Sequence, residues 1–167
     1  LLTTSDPKAA RKTAKEIDQH NLERRGLQEE VFEAACRLAD THPDPDGRRV
    51  LVVAQEGWHP GVLGIVASKL VERHHRPTVV LTIEDGVAKG SARSIRGFKL
   101  VKHLTALEHH LTKYGGHDHA AGMTLPAEAV DAFTADLDAR AREALDADHL
   151  RPRLSLDAEW PLDRVSF

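Results

Sequence analysis

Apolar and polar positions divide this chain into segments of distinct period. Asp6-Pro7 reads as a helix start, a capping carboxylate followed by proline at the first helical position. The helix is expected to run to about Thr41, where His42-Pro43-Asp44-Pro45-Asp46-Gly47 breaks it, with Gly26 a point of interruption. One stripe steps by four and three through Ala10, Ala14, Ile17, Asn21, Arg24, Gln28, Val31, Ala35 and Leu38. Its ends are apolar and its middle polar, whereas a helix lying on one core would be apolar throughout. That pattern suits a strut whose centre crosses a wet gap between two bodies; an ordinary helix with a solvated middle turn shares it.

Arg49 to Glu56 reads as a buried strand, and Gly57-Trp58-His59-Pro60-Gly61 turns the chain. Val62 to His74 is a helix apolar on most sides. Pro77 to Ile83 and Val87 to Ile95 are strands joined by Glu84-Asp85-Gly86, where Asp-Gly supplies the positive φ angles of a hairpin. Phe98 to Leu111 is a helix with Leu100, Leu104, Leu107 and Leu111 on one side. Lys113 to His117 is expected as a loop, Ala120 to Leu125 as a short strand, and Pro126 to Asp148 as an amphipathic helix. Arg153 to Trp160 alternates like a further strand. Strands mixed with helices and one hairpin predict an α/β fold, a mixed β-sheet flanked by helices and preceded by a long connecting helix.

Composition narrows the function. The 167 residues carry a formal charge of −3, with 23 Lys+Arg against 26 Asp+Glu, which excludes a binder working by net charge alone. A single cysteine, Cys36, excludes an internal disulfide framework and a cysteine zinc finger. No apolar run is long enough for a transmembrane helix and no signal peptide opens the chain, so the expected setting is the cytoplasm. The charge is unevenly spread. Between Gly86 and His117 stand Lys89, Arg93, Arg96, Lys99, Lys102 and Lys113 against Glu108 alone, while the last helix collects the acids. One basic side is the expectation.

The strand from Val87 is the most informative segment. Alternation puts Val87, Lys89, Ser91 and Arg93 on one face and Ala88, Gly90, Ala92 and Ser94 on the other. An ammonium, a hydroxyl and a guanidinium, each roughly 7 Å from the next, suit a phosphate, and Arg can grip one bidentately. The alternative is an edge strand with scattered charges. The bare opposite face implies that something packs close to it. Gly115-Gly116-His117 offers exposed N–H groups beside an imidazole, or else merely a glycine turn with an incidental histidine. His59 stands at the carboxyl end of a strand, where ligands of open α/β sheets lie, and Trp58 beside it is read as a packing residue. No metal site is expected: His74, His75, His109 and His110 are read as surface residues at helix ends. No Walker loop, dinucleotide fingerprint or nucleophile elbow is present.

Four segments in this order resemble the bacterial RecJ single-strand-specific DNA exonucleases of the DHH phosphoesterase superfamily. They are Ile17 to Arg25, Trp58 to Ser68, Lys89 to Ile95, and Gly115 to Gly122. The resemblance implies a 5′→3′ exonuclease acting in DNA repair and recombination, with Mn²⁺ or Mg²⁺ held in a catalytic domain that precedes this region. No cofactor is then expected on this region itself. It implies that Ser91 and Arg93 hold the terminal 5′ phosphate and that His117, with Gly115 and Gly116, contacts the phosphate being cleaved. Lys89, His59, Asn21 and Arg24 complete the candidate phosphate-binding residues. The organisation it implies is a connecting helix over residues 1–45, a DHH-associated domain over 46–149, and the start of an oligonucleotide-binding domain over 150–167. Expected partners are single-stranded DNA with a 5′ end and the parent's own DHH and oligonucleotide-binding domains, in a monomer. Two alternatives stand beside this: a DHH-family phosphoesterase on oligoribonucleotides or small nucleotides, and a non-catalytic nucleic-acid-binding module.

Overall fold

The computed structural model describes residues 3–41 and 47–154, together with Leu156, Ala158 and Glu159. Helix α1 spans Pro7–Asp40 without a break. Asp6 caps it by accepting from the Lys8 N–H at 2.9 Å, and Gly26 does not interrupt it. Only its last third is packed: Val31, Ala35, Cys36 and Ala39 are buried. Leu38 from the expected stripe is 39% exposed and the buried line runs through Cys36 and Ala39 instead. Ile17, Leu22 and Leu27 stand exposed along the remainder. No helix among the described residues is long and apolar enough to cross a membrane.

Five strands follow: β1 Leu51–Glu56, β2 Thr78–Glu84, β3 Val87–Arg93, β4 Lys113–Gly116 and β5 Ala120–Pro126. Their order in the sheet is β1-β2-β3-β5-β4. The β1–β2 pair is parallel, connected by α2 over Pro60–His74. All other pairs are antiparallel. The β2–β3 hairpin turns at Asp85 (φ 49) and Gly86 (φ 74), as the Asp-Gly pair predicts.

Each face of the sheet has its own apolar cluster. Helices α1 and α2 cover Leu51, Val53 and Val80 on one face. On the other, α3 (Leu100–Ala106) and α4 (Val130–Ala144) enclose Val79, Leu81, Ala88, Ala92, Met123 and Leu125, with Phe98 and Phe133 fully buried. The small side of β3 is thus small because these helices lie on it.

Three expectations are corrected. Lys113 to Gly116 is a strand, not a loop, because β5 supplies a ladder for it. The helix expected over Phe98–Leu111 is shortened to α3 plus a 3-10 turn at Glu108–His110. The last helix is likewise shorter: Ala127–Ala129 form a 3-10 turn, and α4 ends at Ala144 rather than Asp148. The strand expected at Arg153 to Trp160 lies partly outside the described residues, and of those described there, Leu154 and Leu156 are exposed and in no strand.

Candidate nucleic-acid interface

Strand β3 carries the site because its two faces have different covers. Ala88 and Ala92 are fully buried on the α3/α4 side. Lys89, Ser91 and Arg93 point to the α2 side, Lys89 exposed and the other two half-buried. Helix α2 reaches only part of the way across. A methyl carbon placed on Gly64 of α2 would lie 2.9 Å from Arg93 Nη2 and 3.6 Å from Ser91 Oγ. The guanidinium and the hydroxyl therefore converge on one spot beside the helix, and glycine there leaves room for them. Arg93 Nη1 donates to the Ala92 carbonyl at 2.8 Å, which fixes the plane of the group. Among the described residues no carboxylate forms an ion pair with Arg93. A half-buried guanidinium without a counter-ion is open to an anion from outside.

Beyond α2 the same face is bare. Ser91 pairs with Gly122 on β5, and Gly122 with Gly115 on β4, so the row beside the hydroxyl is floored by two glycines. Both are exposed. A Cβ on Gly115 would meet nothing within 4 Å, and one on Gly122 would come no closer than 3.8 Å to any atom. Nothing among the described residues requires those two positions to be small. By contrast, a Cβ on Gly90 would fall against the Val80 carbonyl, and one on Gly116 (φ +144) against that of Ala120. The next row sets Lys89 opposite Thr124 and Thr124 opposite Lys113, two ammonium groups flanking a hydroxyl.

The glycine–histidine bend sits at the Arg93 end of this floor. Arg93 pairs with Ala120, and the Ala120 carbonyl accepts from the His117 N–H at 2.7 Å. The Ser94 N–H donates to His119 O at 3.1 Å and the Leu100 N–H to Asp118 O at 2.9 Å, tying the bend to the end of β3 and the start of α3. Asp118 is engaged with Lys99 at 3.3 Å. The His117 side chain is exposed at a cleft of about 500 Å³ that Val101, Gly116, Asp118, His119 and Ala120 also line.

The structure thus sets Lys89, Ser91, Arg93 and Gly115 on one face of the sheet. Gly116 pairs with buried Ala121 and so belongs to the other face, and His117 follows it at the edge, in a cleft shared with Val101 of α3. His59 instead caps α2, its Nδ1 accepting from the Gly61 N–H at 3.1 Å, so its role here is structural. Trp58 beside it is buried, as expected of a packing residue. Asn21 and Arg24 lie in the exposed part of α1 and bond to each other at 3.4 Å, and no bond among the described residues ties them to the strand cluster. Sequence reading missed Gly64, Thr124 and the role of Lys113. The signal available was a glycine at position 64 inside an otherwise apolar helix, at a point where helix interiors disfavour it.

Magnesium and manganese prefer several oxygen ligands, chiefly carboxylates. The side chains gathered here are cationic or hydroxylic apart from the His117 imidazole, and the nearby Asp118 is bound to Lys99. These residues do not fit such an ion.

Residues 47–143 match the DHHA1 domain family. The single-stranded-DNA-specific exonuclease RecJ of Bacillus subtilis is 45% identical over 148 residues, 87% of this chain and 18% of that protein. RecJ of Thermus thermophilus is 36% identical over 141 residues, 84% of this chain and 20% of that protein. The chain therefore spans about a fifth of these relatives' length. The crystal structure of Thermus thermophilus RecJ in complex with Mn²⁺ superposes with a TM-score of 0.75 at 32% identity, over 86% of this chain and 21% of that one. The Mg²⁺ complex gives 0.74.

Proposed function

From the premise that this chain belongs to the DHHA1 domain family, we propose that it forms the substrate-binding wall of a 5′→3′ single-stranded-DNA exonuclease. Arg93 and Ser91 hold the terminal 5′ phosphate beside Gly64. The backbone of Gly115 and Gly116, with His117, meets the phosphate to be cleaved, and Lys89 and Lys113 take the strand further along. The glycine floor lets sugar and base approach the sheet closely. Arg93 fixes the end of the strand while the bend donates to the reacting phosphate, so the spacing between them measures the step of digestion.

The observation that carries this reading is the convergence of Arg93 and Ser91, without an acid partner among the described residues, at the edge of a face that is bare for no internal reason. The similarity to proteins named as single-stranded-DNA-specific exonucleases supports it. It weighs against a small-nucleotide phosphoesterase. The divalent ions of hydrolysis belong, on this reading, to another domain of the parent protein. Residues 1–45 then act as the connecting helix, 46–149 as the binding domain and 150–167 as the start of an oligonucleotide-binding domain in a monomeric cytoplasmic enzyme.

The test is fluorescence anisotropy of the 167-residue chain with labelled single-stranded and duplex DNA, followed by addition of Mn²⁺. The expected result is binding that prefers single strands and weakens with salt, with no nucleotide released. Equal binding of duplex, or nucleotide release by this chain alone, would overturn the assignment.

A further inference from the structure

On the opposite side of the molecule from the glycine floor, the 3-10 turn after α3 meets the middle of α4. His109 and His110 are consecutive in that turn, and Asp136 comes from α4, 26 residues further along. His110 Nε2 lies 2.8 Å from Asp136 Oδ2 and His109 Nε2 lies 3.9 Å from the same oxygen. One ligand atom from each of the three residues falls within 4.8 Å of the other two. The imidazole of His110 is held edge-on against Phe133, with ring centroids 6.3 Å apart, and its side chain is only 14% exposed. His109 and Asp136 are open to solvent, 63% and 53% exposed.

We propose that His109, His110 and Asp136 form a binding site for a borderline transition-metal ion such as Zn²⁺. A tetrahedral ion with bonds of about 2.0–2.1 Å holds its ligand atoms about 3.3–3.4 Å apart. The two separations from the Asp136 oxygen bracket that value and the third is at most 4.8 Å, so side-chain adjustment on the scale of an ångström would bring all three atoms to an ion. Two imidazoles and one carboxylate select zinc, nickel or copper over magnesium and manganese, which favour oxygen. The open side leaves room for water at the remaining position. The ion would take the place of the direct contact between His110 and Asp136, and would clamp the 3-10 turn to α4. The sequence expectation that His109 and His110 are plain surface residues at a helix end took no account of Asp136.

The test is isothermal titration of the untagged 167-residue chain with Zn²⁺ and, separately, Mg²⁺. One equivalent of Zn²⁺ should bind with micromolar affinity and raise the melting temperature, while Mg²⁺ does neither. His109→Gln and Asp136→Asn alter exposed side chains that the core does not need, and each should weaken Zn²⁺ by about tenfold or more. The double variant His117→Gln/His119→Gln, which removes another closely spaced histidine pair, should bind Zn²⁺ as the parent chain does. No zinc binding, or binding that survives His109→Gln and Asp136→Asn, or loss confined to the His117/His119 variant, would overturn the proposal.

Discussion

The two faces of β3, β5 and β4 share one backbone and differ in what lies on them. Toward α3 and α4, Ala88, Ala92, Met123 and Leu125 are almost wholly buried. Toward the open side stand Lys89, Ser91, Arg93, Gly122 and Thr124 in the same strands. Small residues occur on both, for opposite reasons. Gly90 is small because its own chain presses on it: a side chain would strike the Val80 carbonyl and Leu81. Gly115 has only open space above it, and a Cβ on Gly122 would make no more than an ordinary contact at 3.8 Å. Smallness that packing imposes marks a core, and smallness without an internal cause marks a surface something else must approach.

Two substitutions, one on each face, put this contrast at greatest risk. Gly90→Val should destabilise by about 3 kcal/mol or more, because backbone must move to admit the side chain. Gly122→Ala should shift stability by less than about 1 kcal/mol, yet weaken single-stranded DNA binding several-fold. Thermal melts and anisotropy on the two variants check this; equal destabilisation would erase the distinction between the faces.

A subtler change probes the edge where α2 meets the site. In Gly64→Ala the new methyl meets the end of the Arg93 side chain at 2.9 Å rather than backbone. The guanidinium can swing aside, so the melting temperature should stay within a few degrees. Displacing it should still weaken DNA binding by about tenfold, a loss of about 1.4 kcal/mol. A variant that melts early but binds normally would show that Gly64 serves packing only.

A smaller effect belongs to the helix-covered face. His103 is buried, stacked on Phe98 at 4.0 Å, and its Nδ1 has no hydrogen-bond partner among the described residues. Burial, reinforced by the nearby Arg140 and Lys102, holds its pKa below the ordinary 6.5. His74 is lowered as well, again chiefly by burial. The folded chain thus favours both rings neutral, while the unfolded chain binds more protons. Stability from this source is complete above about pH 6.5 and declines as pH falls below it. Melting temperatures should therefore drop on acidification, and His103→Phe, which keeps the stack and removes the orphaned nitrogen, should flatten part of that drop. An unchanged pH profile in His103→Phe would assign the acid sensitivity elsewhere.

Much of this arrangement was legible from local signals. The Asp6-Pro7 start, the Asp85-Gly86 hairpin and the alternation of β3 each depend on neighbours in sequence, and each is found where expected. Alternation alone placed Lys89, Ser91 and Arg93 on one face, and the small residues opposite them signalled a close-packed cover. What was not legible depends on distant partners. Lys113–Gly116 has little strand propensity of its own and becomes β4 only on the ladder that β5 provides. That α3 and α4 form the cover over Ala88 and Ala92 follows from the tertiary fold. The approach of Gly64 to Arg93 depends on how α2 crosses the sheet, and the meeting of His109 and His110 with Asp136 on how α4 folds back. Neither is encoded in a spacing.

The proposed function stands or falls on Arg93, beside Ser91, gripping the phosphate at the end of a single strand. The decisive experiment measures the affinity of this chain for one single-stranded oligonucleotide with a 5′ phosphate and with a 5′ hydroxyl, before and after Arg93→Ala. The phosphate should strengthen binding by about tenfold or more in the parent chain, and Arg93→Ala should abolish the difference. Equal affinity for both ends in the parent chain, or a preference that survives the substitution, would refute the anchor.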